Sequence, residues 1–335
     1  MTSTRSAADR AHRHPEAGFS LVEVMAAMAI FAIAMTAVFA TFLSQQKSFT
    51  IQNRVAEMQQ NLRDGVECMI RDIRLAGYGT PDNVTIPNGV IAAGVTTMGP
   101  LYATDGGAAG TDQIHVLYLY DMDAYQPAAN LSSAMVSTAT SISVDNVFGF
   151  VNGDLILVKS ESTADLFQIT GAPAGNTLPH DTSGFNSSTA HPSWPAGGYL
   201  NNPPATVAKA RFVRYFIDNT TDPDHPMLMV DRMGGQPPQP AADDIEDLQL
   251  AYGLDTSGDG AVDTWRNGPG DPILAAAEIP QVRQVRIQLM ARTRLPDSNW
   301  SETRSALGNR SAGAAPDGYR RRVFDILIDV RNSGA

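Results

Sequence analysis

Cysteine is almost missing from this sequence, which has one, Cys68, among 335 residues. A single cysteine excludes a disulfide within the chain and any metal or redox site that needs two thiols. The chain is long enough to be stabilised by an apolar core instead. Cys68 lies in a helical pattern beside Val66 and Met69, so we expect a small packed side chain and not a reactive thiol.

Basic residues are also scarce, 24 against 35 acidic ones, which gives a formal net charge of −11. A chain with this balance is a poor electrostatic partner for nucleic acid or for anionic lipid. The sequence contains no Gly-x-Ser-x-Gly elbow and no glycine-rich phosphate loop before a helix, and its six histidines show no ligand spacing. We therefore expect neither nucleic-acid binding nor enzymatic activity.

Proline and glycine are rare at the start of the chain, where only five precede Pro81: Pro15, Gly18, Gly65, Gly77 and Gly79. Their absence from most of this stretch predicts one long helix from Phe19 to about Ile73, which the later glycines and Pro81 end. Its second half carries an apolar stripe at steps of three and four residues. The stripe consists of Val55, Met58, Leu62, Val66, Met69 and Ile73.

Charge is missing from residues 19–43, where the only ionisable side chain is Glu23. A helix of these residues would be about 37 Å long, enough to cross a bilayer. Burying one carboxylate in hydrocarbon costs roughly 2.5–3.5 kcal/mol on insertion scales, and a simple anchor gains nothing from it. A subunit that leaves the membrane to pack among its copies could instead pair Glu23 with a neighbour's charge. Arginines in residues 1–17 favour a cytoplasmic amino terminus.

From residue 81 onward the composition changes to short apolar runs separated by turn residues, which predicts strands. The runs Leu155–Val158 and Leu166–Ile169 flank a polar turn and predict a hairpin, whereas 171–206 reads as a long loop. The fold class predicted is α+β, with a long amino-terminal helix packed on a β-rich, antiparallel head.

The string Gly18-Phe19-Ser20-Leu21-Val22-Glu23 resembles the class III signal of type IV pilins and type II secretion pseudopilins. That resemblance implies cleavage by a prepilin peptidase between Gly18 and Phe19, methylation of Phe19, and a filament-assembly role for Glu23. It implies three parts: a cytoplasmic leader (1–18) that is removed, a stem helix (19–80) whose residues 19–43 form the membrane and filament core, and a periplasmic head (81–335). An ordinary secretory signal, cut after the apolar run, explains neither the length of that run nor its lone acid.

Three further segments resemble PilW-type minor pilins, which are related to the J-type pseudopilins: 71–78, 282–293 and 317–324. The resemblance implies a minor pilin that primes or caps a type IV pilus. Its implied partners are other major and minor pilins, the prepilin peptidase and methyltransferase, the inner-membrane assembly platform and inner-membrane lipid. The subunit would reside in the bacterial inner membrane before assembly and in the filament, at its tip, afterwards. A type II secretion pseudopilin and a calcium-dependent adhesin head on a pilin stem are the alternatives.

The one chemical motif in the head is 255–263, which matches the start of a calcium-binding loop. Side-chain oxygens occupy ligand positions 1, 3, 5 and 9, a turn glycine stands at 6, and a backbone carbonyl is available at 7. Arg266 stands where an EF-hand has its bidentate Glu, so Asp271 or a distant acid would have to complete the shell. The predicted Ca²⁺ ligands are Asp255, Ser257, Asp259, Ala261 and Asp263; the alternative is a hairpin tip that binds nothing.

Overall fold

The computed structural model describes residues 18–120, 128–136, 141–161, 163–182, 184–186, 198–271 and 273–330. The predicted leader therefore lies outside the described residues, apart from Gly18. Internal contacts divide the chain into two compact units, Met1–Asn53 and Arg54–Ala335. The domain limits derived from the sequence stay a prediction.

One helix, α1, runs from Leu21 to Leu75, as the scarcity of helix-breaking residues predicts. It ends where Gly77 adopts a left-handed backbone with φ of 79°. The amide of Gly77 then donates to the carbonyl of Leu117 at 3.0 Å, so the chain leaves the helix by joining the head.

The regular secondary structure of the rest of the described chain is made of strands and two short 3₁₀ turns, Gly184–Asn186 and Ala276–Gln281. The first nine strands are β1 Val84–Thr85, β2 Thr97–Met98, β3 Leu101–Thr104, β4 Gln113–Leu119, β5 Ala129–Asn130, β6 Ser141–Ser143, β7 Leu155–Lys159, β8 Ala164–Gln168 and β9 Thr177–Pro179. The other nine are β10 Thr206–Asp218, β11 Met227–Asp231, β12 Gln239–Ala242, β13 Ile245–Leu254, β14 Thr264–Arg266, β15 Val282–Arg292, β16 Glu302–Thr303, β17 Pro316–Asp317 and β18 Arg321–Asp329.

These strands form one ten-stranded sheet, one of four strands and two of two strands. The large sheet has the order β12-β11-β10-β7-β8-β1-β2, with β4 and β5 also paired to β10 and β3 paired to β4. The four-stranded sheet has the order β14-β13-β15-β18. Every pairing is antiparallel except β1 with β8, so the α+β class is confirmed, as is the β7–β8 hairpin.

The carboxy-terminal half of α1 packs on the main core, which it shares with both large sheets. The predicted apolar stripe forms this contact: Met58, Leu62, Val66, Met69 and Ile73 are at most 4% exposed, and Val55 packs at its margin. Cys68 is half-buried and packs against the same core, as expected.

Close packing against the sheet accounts for the glycine at position 65 in the middle of α1. A glycine inside a helix costs about 1 kcal/mol relative to alanine. A Cβ on Gly65 would lie 3.0 Å from Cδ2 of Leu228 and 3.2 Å from Cβ of Ala242. The glycine therefore lets the helix approach β11 and β12 more closely than any other residue would.

Candidate assembly and processing site

The amino-terminal end of α1 holds the residues predicted for processing and assembly. Gly18 and Phe19 precede the helix, are exposed, and adopt no regular secondary structure. A Cβ built on Gly18 meets no atom within 4 Å, so folding of the described chain places no demand for glycine there. A requirement for glycine at this position would therefore come from a partner that recognises this segment.

Ser20 and Glu23 form a reciprocal capping box at the start of α1. The amide of Ser20 donates to Oε2 of Glu23 at 2.9 Å, and the amide of Glu23 donates to Oγ of Ser20 at 3.2 Å. Two backbone donors that a helix start leaves unsatisfied are thereby paired. The predicted assembly carboxylate is thus held in place by its own chain. The Ser-x-x-Glu spacing is typical of a capping box and was visible in the sequence. The sequence interpretation missed it because it treated Glu23 only as an intermolecular group.

The segment that follows is long and apolar enough to cross a membrane, on length and composition. Its large apolar side chains are exposed, among them Phe31 at 66%, Ile33 at 72% and Phe39 at 62%. Its polar hydroxyls are satisfied internally: Thr36 donates to the carbonyl of Ala32 and Thr41 to that of Ala37. Outside Glu23, the segment therefore presents apolar surface that needs lipid or other apolar helices to cover it.

The other end of α1 is fixed to the head by a buried carboxylate, Asp72, which is 3% exposed. Tyr118 on β4 donates to its Oδ1 at 2.8 Å, and Tyr215 on β10 donates to its Oδ2 at 2.7 Å. The exposed guanidinium of Arg71 lies 3.5 Å from the same group. Arg71 and Asp72 both belong to segment 71–78, which resembles minor pilins. The spacing of residues in the sequence does not indicate that Asp72 anchors the helix to the head.

The predicted calcium loop is held by its own backbone amides. Asp255 accepts hydrogen bonds from the amides of Gly258 at 2.6 Å and Gly260 at 2.9 Å, and its Oδ2 lies 3.3 Å from Nε of Arg283. Burial pushes the pKa of Asp255 upward, but these amides and Arg283 outweigh it and hold the pKa below the ordinary value. The carboxylate of Asp255 is therefore already stabilised as an anion.

The other proposed ligands are arranged in the same way. Oδ2 of Asp263 accepts from the amides of Thr256 at 2.7 Å and Ser257 at 2.9 Å, and Asp259 accepts from the amide of Ala261 at 2.8 Å. Among the described residues, no three His, Cys, Asp or Glu side chains are grouped so that they could hold a metal ion. Calcium binding by this loop stays a prediction.

Arg266, the departure from the calcium pattern, has its own structural role. Its guanidinium pairs with Glu278 of the second 3₁₀ turn, with Nη2 to Oε1 at 2.6 Å and Nε to Oε1 at 3.0 Å. The hydrogen bond with Glu278 is the main cause that raises the pKa of Arg266. The side chain thus ties β14 to the turn before β15.

Two acidic residues at the start of β13 and just before it are buried. Asp247 on β13 is fully buried, and its Oδ2 lies 3.2 Å from Nη1 of Arg304 and 3.1 Å from Nη1 of Arg310. Asp244 is 4% exposed and pairs with His225 at 3.2 Å. Their partners are distant in sequence, so local composition alone could not reveal the pairing.

Two family models match the chain. Residues 13–39 match the prokaryotic N-terminal methylation motif, which covers Gly18, Phe19 and the capping box. Residues 214–332 match type IV pilus-assembly protein W, from within β10 to the end of β18. The two matches support a type IV minor pilin of the PilW type. Two of the three head and stem segments that resembled PilW, 282–293 and 317–324, lie inside the match, whereas 71–78 lies before it.

A solved structure is also similar to this chain: a type IV-like pilin, TTHA1219, from Thermus thermophilus. The two chains are 12% identical, and the match covers 83% of this chain and 97% of the other, with a TM-score of 0.36. A score this low adds nothing to the assignment, which rests on the two sequence matches. No curated protein matches the sequence significantly.

The matches support a role of the chain in type IV pilus assembly. They imply pilin partners and processing by a prepilin peptidase, and the apolar helix with its methylation motif fits a membrane-anchored pilin. The families concerned are structural and not enzymatic.

Proposed function

We propose that this minor pilin primes type IV pilus assembly and remains at the filament tip. The observation that carries the proposal is the combination of an exposed apolar helix with one capped carboxylate at its start. Prepilin peptidase cuts between Gly18 and Phe19, the new terminus is methylated, and Glu23 then pairs with the terminal amine of an adjacent subunit. The processed chain acts as a structural subunit and catalyses no reaction.

The size of the folded unit supports the tip position. The unit Arg54–Ala335 contains an extensive ten-stranded sheet in addition to the four-stranded sheet on which α1 packs. Subunits in a filament shaft repeat at short axial intervals, so a bulky head is tolerated most easily where the series ends. Before assembly the head lies in the periplasm, and the helix contacts inner-membrane lipid and the assembly platform.

The experiment that tests this proposal combines mass spectrometry with electron microscopy. A mature chain that begins with methylated Phe19 is expected, and gold-labelled antibody against the head should mark filament ends. A chain that retains its leader contradicts the processing step, and label spread along the shaft contradicts the tip position. Deletion should lower the number of pili per cell; a secretion defect with normal pili would favour the pseudopilin alternative.

A further inference from the structure

The loop between β3 and β4 brings two carboxyl groups together. Its sequence, residues 105–112, starts and ends with aspartate and is rich in glycine between them. The amide of Gly106 donates to Oδ1 of Asp112 at 2.9 Å, and the next amide, that of Gly107, donates to Oδ1 of Asp105 at 2.7 Å. Consecutive amides thus serve different carboxyl groups, which places the two groups side by side.

Asp112 also joins the two large sheets. Its amide donates to the carbonyl of Leu248 at 2.9 Å, and its Oδ2 accepts from the amide of Leu250 at 2.7 Å. These contacts occupy the edge of β13 just before its pairing with β14 begins at Tyr252. The side chain of Asp112 therefore takes the place of a strand at that edge and links β4 of the large sheet to the four-stranded sheet.

A third segment closes over the same loop. The side-chain amide of Asn309 donates to Oδ1 and Oδ2 of Asp105 at 3.0 and 3.1 Å. The amide of Ser311 donates to the carbonyl of Ala108 at 3.0 Å, and Gln249 on β13 donates to the carbonyl of Gly110 at 3.0 Å. Loosening the loop would therefore release 309–311 and the edge of β13 together.

No basic side chain balances the two carboxyl groups among the residues that the structure describes. The nearby arginines, Arg304 and Arg310, are paired with Asp247 on β13. Tyr252, also on β13, is fully buried, and its hydroxyl has no hydrogen-bond partner in the described chain. Asp112 is buried and Asp105 is half-buried. Two such neighbouring carboxylates without a counter-charge repel each other, and a proton shared between them removes that repulsion.

The electrostatics agree with this arrangement. Burial, together with a smaller effect of the charge of Asp105, raises the pKa of Asp112 to about 7 against the opposing effect of the amides of Gly106 and Leu250. Burial also raises the pKa of the Tyr252 hydroxyl, with smaller contributions from Asp112 and Asp105, so this group stays neutral. Asp112 is therefore the group here that titrates near neutral pH.

We propose that Asp105 and Asp112 share one proton, and that losing it loosens the joint between loop 105–112, the edge of β13 and residues 309–311. The joint binds this proton more tightly than the opened loop does. Its stability is therefore greatest in acid, falls as the pH rises from about 4 to about 7, and is constant above that. The shared proton therefore stabilises this part of the head in an acidic medium, whatever role the head has in the pilus.

Hydrogen–deuterium exchange on the full chain in detergent, from pH 4 to pH 8, tests the proposal. After correction for the intrinsic pH dependence of exchange, opening of 105–112 and 309–311 should increase by up to about tenfold per pH unit below neutrality. Asp105→Asn removes the repulsion and the shared proton but leaves Asp112 buried, so the pH dependence of opening should become clearly weaker than in the wild type without disappearing. Infrared spectroscopy should show the band of a protonated carboxyl in the wild type at pH 5 and lose it at pH 8.

A matched control is Asp218→Asn, which changes a carboxylate at the end of β10 that also accepts hydrogen bonds from amides of its own loop. This variant should keep the pH dependence of the wild type. Opening that does not change with pH, or that changes equally in wild type and Asp105→Asn, overturns the proposal. Protection restored at pH 8 by Ca²⁺ alone would also overturn it, because a metal ion and not a proton would then neutralise the pair.

Discussion

The hydroxyl of Tyr215, on β10, donates a 2.7 Å hydrogen bond to the carboxylate of Asp72, which lies 143 residues earlier on α1. Burial, and then the charge of Asp72, raise the pKa of Tyr215, so the hydroxyl remains a donor at any physiological pH. Tyr118 satisfies the second oxygen of the same carboxylate. The helix α1 is thus fixed to the head by one buried carboxylate, which accepts hydrogen bonds from two tyrosines on neighbouring strands.

Replacing Tyr215 by Phe should destabilise the protein. A hydrogen bond to a charged group contributes about 1.5–3 kcal/mol, and its loss leaves a buried carboxylate with one donor fewer. We expect a melting temperature lower by several degrees, measured by circular dichroism on the full chain in detergent. Arg71→Ala is the matched control, because that exposed guanidinium lies 3.5 Å from the same carboxylate and should contribute little. Equal losses for both variants would contradict the anchor.

Much of this architecture could be predicted from the sequence because it depends on local periodicity. The length of α1, its buried stripe and the β7–β8 hairpin follow from spacing alone. The partners of Asp72 and Asp247 could not be predicted, since each is brought in from 46 or more residues away. The Ser20–Glu23 capping box is different, because its three-residue spacing can be seen in the sequence. It was overlooked because Glu23 was interpreted only as a filament-assembly residue.

Gly18→Ala should block removal of the leader. A Cβ at this position has open space around it, so any effect is expected to arise from recognition by the peptidase and not from folding. Immunoblots and intact mass should show an unprocessed chain that remains in the inner membrane. The neighbouring leader substitution Ala17→Ser serves as the control and should be processed normally. A normally shortened Gly18→Ala product would contradict the cleavage assignment.

If loop 255–263 binds calcium, adding calcium should raise the melting temperature of the protein. Three carboxylates within nine residues repel one another, and a bound ion relieves that repulsion. At a hundredfold excess over the dissociation constant, binding stabilises the folded state by about 2.7 kcal/mol, which corresponds to a shift on the order of 5 °C. Asp259→Ala should remove most of the shift, Asp218→Ala should preserve it, and magnesium should substitute poorly. If the melting curves with calcium, magnesium and chelator coincide, the loop does not bind calcium and is only a hairpin tip held by its own amides.

The capping box makes a graded prediction for filament assembly. Glu23→Val removes both the cap and the carboxylate, so the processed chain should insert in the membrane but be nearly absent from sheared pili. Ser20→Ala keeps the carboxylate and removes only its local partner, the hydroxyl that receives the amide of Glu23 at 3.2 Å. Loss of a helix cap costs about 1 kcal/mol, so incorporation should be reduced and not abolished. Ser20→Thr restores a hydroxyl at the same position and should restore incorporation.

The measurement is the ratio of this subunit in pili to that in the membrane fraction, with intact mass confirming that every variant begins at methylated Phe19. If Glu23→Val enters pili as well as the wild type, the carboxylate has no assembly role. If Ser20→Ala matches the wild type while Glu23→Val fails, the carboxylate acts on its neighbour without needing to be held by Ser20. A loss in Ser20→Ala that threonine repairs is the outcome that makes the hydroxyl a positioning group for Glu23, because Ser20→Ala removes only that hydroxyl and Ser20→Thr keeps it while adding one methyl group on Cβ.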